Sequence, residues 1–197
     1  MDFSNIVILM KMMSIMNKST EIDESIEIGD SEVIIRIVIS PVNVSGNRIK
    51  MNIFQPPRGT QDVSCLRTEL LTESECLSKG KEIASKRANS ELHGFALLTK
   101  HCILSSEATV EDSRDPPNFY GHADIKMGIF NHTSEKMPLG FEEQELLDSI
   151  KEKLMSHSLF IEFKTKTIKQ KNGDVNLTDC EKNELLHNYA ERLEKVF

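Results

Sequence analysis

The chain has 197 residues and a formal net charge of −7, with 28% charged and 39% hydrophobic residues. That length suits one domain with a buried core, and that charge excludes a general grip on nucleic acid, which needs clustered Lys and Arg. The four cysteines (Cys65, Cys76, Cys102, Cys180) include no C-x-x-C pair, so no zinc knuckle or thioredoxin-type dithiol is expected, and buried free thiols in a reducing compartment are.

The opening "MDFSNIVILMKMMSIMNKS" carries Asp2 before its apolar run and Lys11 inside it. A secretory signal needs a basic start and an unbroken apolar segment, and a membrane span needs about 20 apolar residues. Residues 1–30 are therefore expected to be a weakly ordered lead, and residues 31–197 a single domain of a cytoplasmic protein with no membrane contact.

"EVIIRIVIS" alternates β-branched residues and reads as a strand, with Val33, Ile35, Ile37 and Ile39 on one side and Ile34, Arg36, Val38 and Ser40 on the other. "SGN" supplies a turn and "RIKMNIF" a second strand, giving a first hairpin, before "QPPRGT" breaks the pattern. "VSCLRTELL" is the next strand. "TESE" is a capping box, Thr72 with Glu75, that opens a helix running to about Arg87.

"HGFALLT" reads as a buried strand, "KHCILSS" as a helical turn and "EATVEDS" as a polar strand. A loop of prolines, a glycine and charges follows, "SRDPPNFYGHADI", and then "IKMGIF". "GFEEQELLDSIKEKLMS" is an amphipathic helix with acid early and lysine late, as the helix dipole prefers. "LFIEFKTKTI" returns to period two as one strand. "NGD" turns the chain, and "TDCEKNELLHNYAERLEKVF" is a helix capped by Thr178 with Glu181. The sum is an α+β domain of about five mostly antiparallel strands and three helices.

Candidate chemistry gathers in the loop, where Arg114, Asp115, Tyr120, His122 and Asp124 fall within 11 residues. On a strand, His122 and Asp124 would point the same way, as an H-x-D metal pair does; His132, His157 or His187 would have to complete it. The alternative is structural: Asp115, Asn118 and Asp124 bond to backbone while His122 packs on Phe119 or Tyr120. "LRTE" puts Arg67 and Glu69 on one side of a strand. If they meet Asp115 and His122, the result is a polar cleft with an anion-binding arginine, a base and an orienting acid; otherwise they are a surface ion pair. The lysines of "KTKTIKQK" read as the solvated face of an edge strand. No G-x-S-x-G elbow or phosphate-cradling glycine loop occurs.

The order of an arginine strand, "HGFALLT" and a loop with Tyr120 and His122 is similar to that of small ADP-ribosyltransferase-like domains. That resemblance implies a dinucleotide held between an arginine or histidine and a later glutamate, here Glu162. "NRIKMNIFQPP", "VSCLRTELL", "HGFALLT" and "RDPPNFYGHADI" together resemble small uncharacterised bacterial proteins that accompany mobile or defence loci. This second resemblance implies a context and no reaction.

Two functions are expected from these readings. The favoured one is an accessory or interaction protein with a protein partner. The alternative is a small enzyme, ADP-ribosyltransferase-like or metal-dependent, that acts on a nucleotide-like small molecule through Arg67, Asp115, His122 and Asp124, with Arg114, Tyr120 and Glu69 binding. No cofactor is assigned.

Overall fold

The computed structural model describes residues 27–46, 48–115, 117–131, 139–163, 167–170 and 180–196, the backbone alone for 167–170 and 180–183. In chain order the strands are β1 (Val33–Ser40), β2 (Val44–Ser45), β3 (Arg48–Ile49), β4 (Thr60–Arg67), β5 (Glu91–Thr99), β6 (Thr109–Asp112), β7 (His122–Asn131), β8 (Leu159–Glu162) and β9 (Thr167–Gln170). The helices are α1 (Glu73–Ser85), α2 (Lys100–Ser105), α3 (Phe141–His157) and α4 (Cys180–Glu194), and a single 3-10 turn spans Met51–Phe54. Seven strands form one antiparallel sheet in the order β6-β7-β4-β1-β5-β8-β9, while β2 and β3 pair only with each other.

Both faces of this sheet are covered. One face presents Ile34, Val38, Cys65, Leu98 and Ile125 to α3, α2 and the 3-10 turn, with Leu147, Leu154, Ile103 and Phe54 packed among them. The other presents Ile35, Ile37, Phe95 and Leu97 to α1 and α4, which contribute Cys76, Ala84, Tyr189 and Leu193. Double coverage explains the composition of β1, the middle strand of the seven. A strand with core on both sides is apolar on both sides, and "VIIRIVIS" is buried everywhere except Arg36 and Ser40, which are half-buried.

The mixed α+β architecture agrees with the sequence, but several pairings do not follow chain order. "RIKMNIF" does not pair with β1; its first residues form the small β2–β3 hairpin and the rest is the 3-10 turn, leaving β4 and β5 as β1's neighbours. "LFIEFKTKTI" is two strands, β8 and β9, which fold back with Glu162 opposite Thr167. No glycine, proline or asparagine marks that reversal. The last residues of the charged loop belong to a strand, since β7 begins at His122. These splits raise the count from the expected five strands to nine among the described residues.

The expected lead lies outside the described residues up to position 26. Its last part is packed: Ile28 is 5% exposed, and Lys100 Nζ donates to the Ile28 carbonyl at 2.9 Å. Thr178 and Glu181 also lie outside the residues whose side chains are described. Cys65, Cys76 and Cys102 are free, and burial pushes the Cys65 and Cys76 thiols up to about 12. Among the described residues no helix is long and apolar enough to cross a membrane.

Candidate functional site

Between β1 and β4 the sheet comes apart. Each strand has eight residues, yet they pair only at Ile34 with Arg67 and Ile35 with Leu66. Past that point β1 stays with β5, and β4 with β7. Arg36 is the first residue beyond the last pair. Its Nε donates to the Ile53 carbonyl at 2.8 Å and its Nη1 to the Ser64 carbonyl at 2.7 Å. Farther along, Asn43 Oδ1 accepts from the Ile39 N–H at 3.0 Å. Side chains here bond to backbone groups beside the opening, as buried backbone requires.

The opening is a cavity of about 610 Å³, inside the roughly 300–1,000 Å³ range of small-molecule sites. Arg36, Ser64 and Leu66 line it from the sheet, Pro56 and Pro57 from the connection into β4, and Lys79, Glu82, Lys86 and Arg87 from α1 and its C-terminal end. Phe119 and His122 close it from the loop. Phe119 carries Lys79 Nζ 4.6 Å above its ring and meets the His122 ring edge-on at 5.3 Å.

The charge in this cavity runs against the chain's net −7. Glu82 is the single carboxylate among the described lining residues, facing four cations. Lys79 and Lys86 both bond to it, Lys86 at 3.0 Å, and hold its carboxyl below the usual range. Neither arginine has such a partner: among the described residues, no carboxylate lies within ion-pair distance of Arg36 or Arg87. Burial and the like charge of Arg87 hold the Arg36 guanidinium below its ordinary value, against the opposing pull of Cys65 and Asp124. A half-buried guanidinium with donors left over and a like charge nearby is chemically suited to receive an anion.

The residues singled out in the sequence are dispersed. Arg67 is fully buried and does not reach the cavity: its Nε and Nη2 grip Glu32 at 3.0 and 2.8 Å, and its Nη1 bonds Asp112 at 2.9 Å. Burial opposes that charge, and the bonds from Glu32 and Asp112 outweigh it, so Arg67 is held above its ordinary value. Glu69 lies in the turn after β4, exposed, and no longer shares a strand face with Arg67. Asp115 and Tyr120 are exposed, and Arg114 bonds Asp112 at 3.1 Å with its guanidinium 5.8 Å from the Tyr120 ring. Only His122 reaches the cavity, and the Arg67–Asp115–His122 cleft does not form.

His122 and Asp124 do share a side of β7, with Nε2 3.9 Å from Oδ1. The His122 ring, however, bonds Ser113 Oγ through Nδ1 at 2.7 Å, and its backbone N–H closes the loop onto the Phe119 carbonyl. Asn118 Nδ2 donates to the Ser113 carbonyl at 2.6 Å. The loop is held by side-chain-to-backbone bonds and an aromatic contact. Of the proposed third metal ligands, His132 lies outside the described residues and His157 Nδ1 bonds Ser106 Oγ at 2.9 Å. Among the described residues no three His, Cys, Asp or Glu side chains gather as a metal site. Glu162 stands 3.4 Å from His93 and is separated from His122 by three intervening strands, β4, β1 and β5, so it does not complete a dinucleotide site with the loop.

No known protein family, curated protein or solved structure matches the chain. What the site can do is read from its own groups. Unpaired guanidinium donors attract an anion, Pro56, Pro57, Leu66 and Phe119 offer apolar and aromatic wall, and Glu82 supplies a competing negative charge. An anionic group attached to an apolar or planar body suits that lining.

Sequence reasoning missed Arg36 and the α1 cluster. The signal for Arg36 was present: it is the one charge inside "VIIRIVIS". Lys79, Glu82 and Lys86 are spaced i, i+3, i+7, one helical face, but nothing in sequence says what that face overlooks.

Proposed function

We propose that the protein is an accessory binding module whose working surface is the cleft between β1 and β4, and that its ligand is a small anionic molecule. The observation that carries this reading is Arg36, a partly buried arginine that lines a cavity without a carboxylate partner among the described residues. Its bonds to the Ile53 and Ser64 carbonyls fix it in place and leave Nη2 without a partner among the described residues. The favoured alternative among catalytic readings, an enzyme acting on a nucleotide-like substrate, draws support from His122 at the cavity wall. It loses support from the enclosure of Arg67 by Glu32 and Asp112 and from the exposure of Asp115. A setting in a bacterial multi-gene locus belongs to the same proposal and rests on motif order alone.

The test is incubation with a panel of nucleotides and phosphorylated or carboxylated metabolites, followed by native mass spectrometry and analysis of the recovered small molecules. A binding module retains an anion and returns it unaltered, and Ile83→Trp, which fills the cavity wall, abolishes retention. Turnover of a panel compound that His122→Ala stops would instead establish the enzyme.

A further inference from the structure

We infer that the cleft selects a phosphate-bearing ligand, a phosphate ester or diphosphate, and that Glu82 is a built-in counter-ion which the incoming phosphate displaces from Lys79 and Lys86. This rests on the reading of the cleft as a small-anion site. The charge count points to the class. Arg36, Arg87, Lys79 and Lys86 face one carboxylate, a surplus that a monocarboxylate leaves largely unmet and a multiply charged phosphate matches.

The geometry divides the cations into two kinds. Arg36 is positioned by two backbone carbonyls, from Ile53 and Ser64, which use Nε and one N–H of Nη1. The rest of its fork, Nη2 included, has no partner among the described residues and is fixed in orientation without being consumed. Planar guanidinium donors in a fixed frame suit phosphate oxygens. Lys79 and Lys86 are compact, mobile charges already gathered by Glu82, one turn apart from it on each side. Such an acid keeps the lysines together. It also competes with any anion that enters.

Three variants and two probes test the inference, with inorganic pyrophosphate and citrate titrated by calorimetry at low and moderate salt. Both probes are polyanions, and only one is a phosphate. Expected is pyrophosphate binding that Arg87→Gln weakens at least tenfold and that Glu82→Gln tightens several-fold, while Lys153→Gln, on α3 and outside the cleft, changes nothing beyond the salt effect. Arg87 and Glu82 are exposed, so their replacement leaves the core untouched and folding is checked by an unchanged thermal midpoint. The opposite sign for Glu82→Gln is the decisive readout, since a merely structural Glu82 would give no tightening. Citrate binding as tightly as pyrophosphate, with the same response to Arg87→Gln, overturns the selection for phosphate and leaves the anion cleft standing. Pyrophosphate binding that ignores both Arg87→Gln and Glu82→Gln, or no binding of either probe to the parent and Glu82→Gln, overturns both.

Discussion

At the scale of single residues, two arginines on neighbouring strands have opposite fates. Arg67 is enclosed by Glu32 and Asp112, with Glu32 2% exposed. Removing one partner of a buried pair leaves the other charge uncompensated, so Arg67→Met should cost about 3–5 kcal/mol, read as a lowered urea midpoint. Pairing it with Glu32→Gln should recover part of that loss. His122 braces its loop through Ser113 and Phe119, so His122→Ala should lower stability by about 1.5 kcal/mol or more, measured as a thermal midpoint. His157 gives a pH effect. Burial, then the neighbouring His101 and Lys153, hold its imidazole below the ordinary value despite the raising contact at Cys102. The unfolded chain therefore takes the proton first: stability is full above about pH 6.5 and falls as pH drops through that value toward the folded-state pKa. His157→Gln should flatten the dependence of the urea midpoint on pH between about 7.5 and 5.

At the scale of elements, local chemistry was readable where it is local. Thr72 accepts from the Glu75 N–H at 3.3 Å while the Glu75 carboxylate accepts from the Thr72 N–H at 2.8 Å, the capping box that "TESE" announced. Thr72→Ala should destabilise α1 by roughly 1 kcal/mol, measured by chemical denaturation. Gly94 was legible as a glycine opening a buried strand, but its reason is a neighbour 67 positions on. A Cβ there would stand 1.9 Å from the Ile161 carbonyl oxygen of β8. Gly94→Ala must push the β5–β8 ladder apart and should cost about 3 kcal/mol or more, seen as accelerated amide exchange in β8. The reversal between β8 and β9 had no turn residue to reveal it, and β2–β3 took residues that alternation assigned to a longer strand.

At the scale of the whole molecule, the sheet fails to close at one place and function is sought there. The sheet buries one core on each face, and among the described residues the seam between two long neighbours with just two pairs in register is β1–β4. The seam draws on residues from positions 36 to 122, so no short motif could have shown it. The loop that looked most chemical supplies one edge of that seam through Phe119 and His122, and is otherwise fastened to itself. Its density of charge was visible; its use as a fastening was not.

The sequence alone determined the mixed class, the first helix with its cap, the amphipathic third helix and the apolar central strand. Each follows from periodicity or from bonds between residues a few positions apart. Only the tertiary structure decided which strands are neighbours, that Arg67 is spent on Glu32 and Asp112, and that Arg36 lines an opening with cations from a distant helix. Those outcomes depend on contacts far apart in the chain, such as Arg36 with Ser64, Arg67 with Asp112 and Val33 with Thr99. Alternation places a side chain on a face of its strand, and long-range pairing then sets what that face meets.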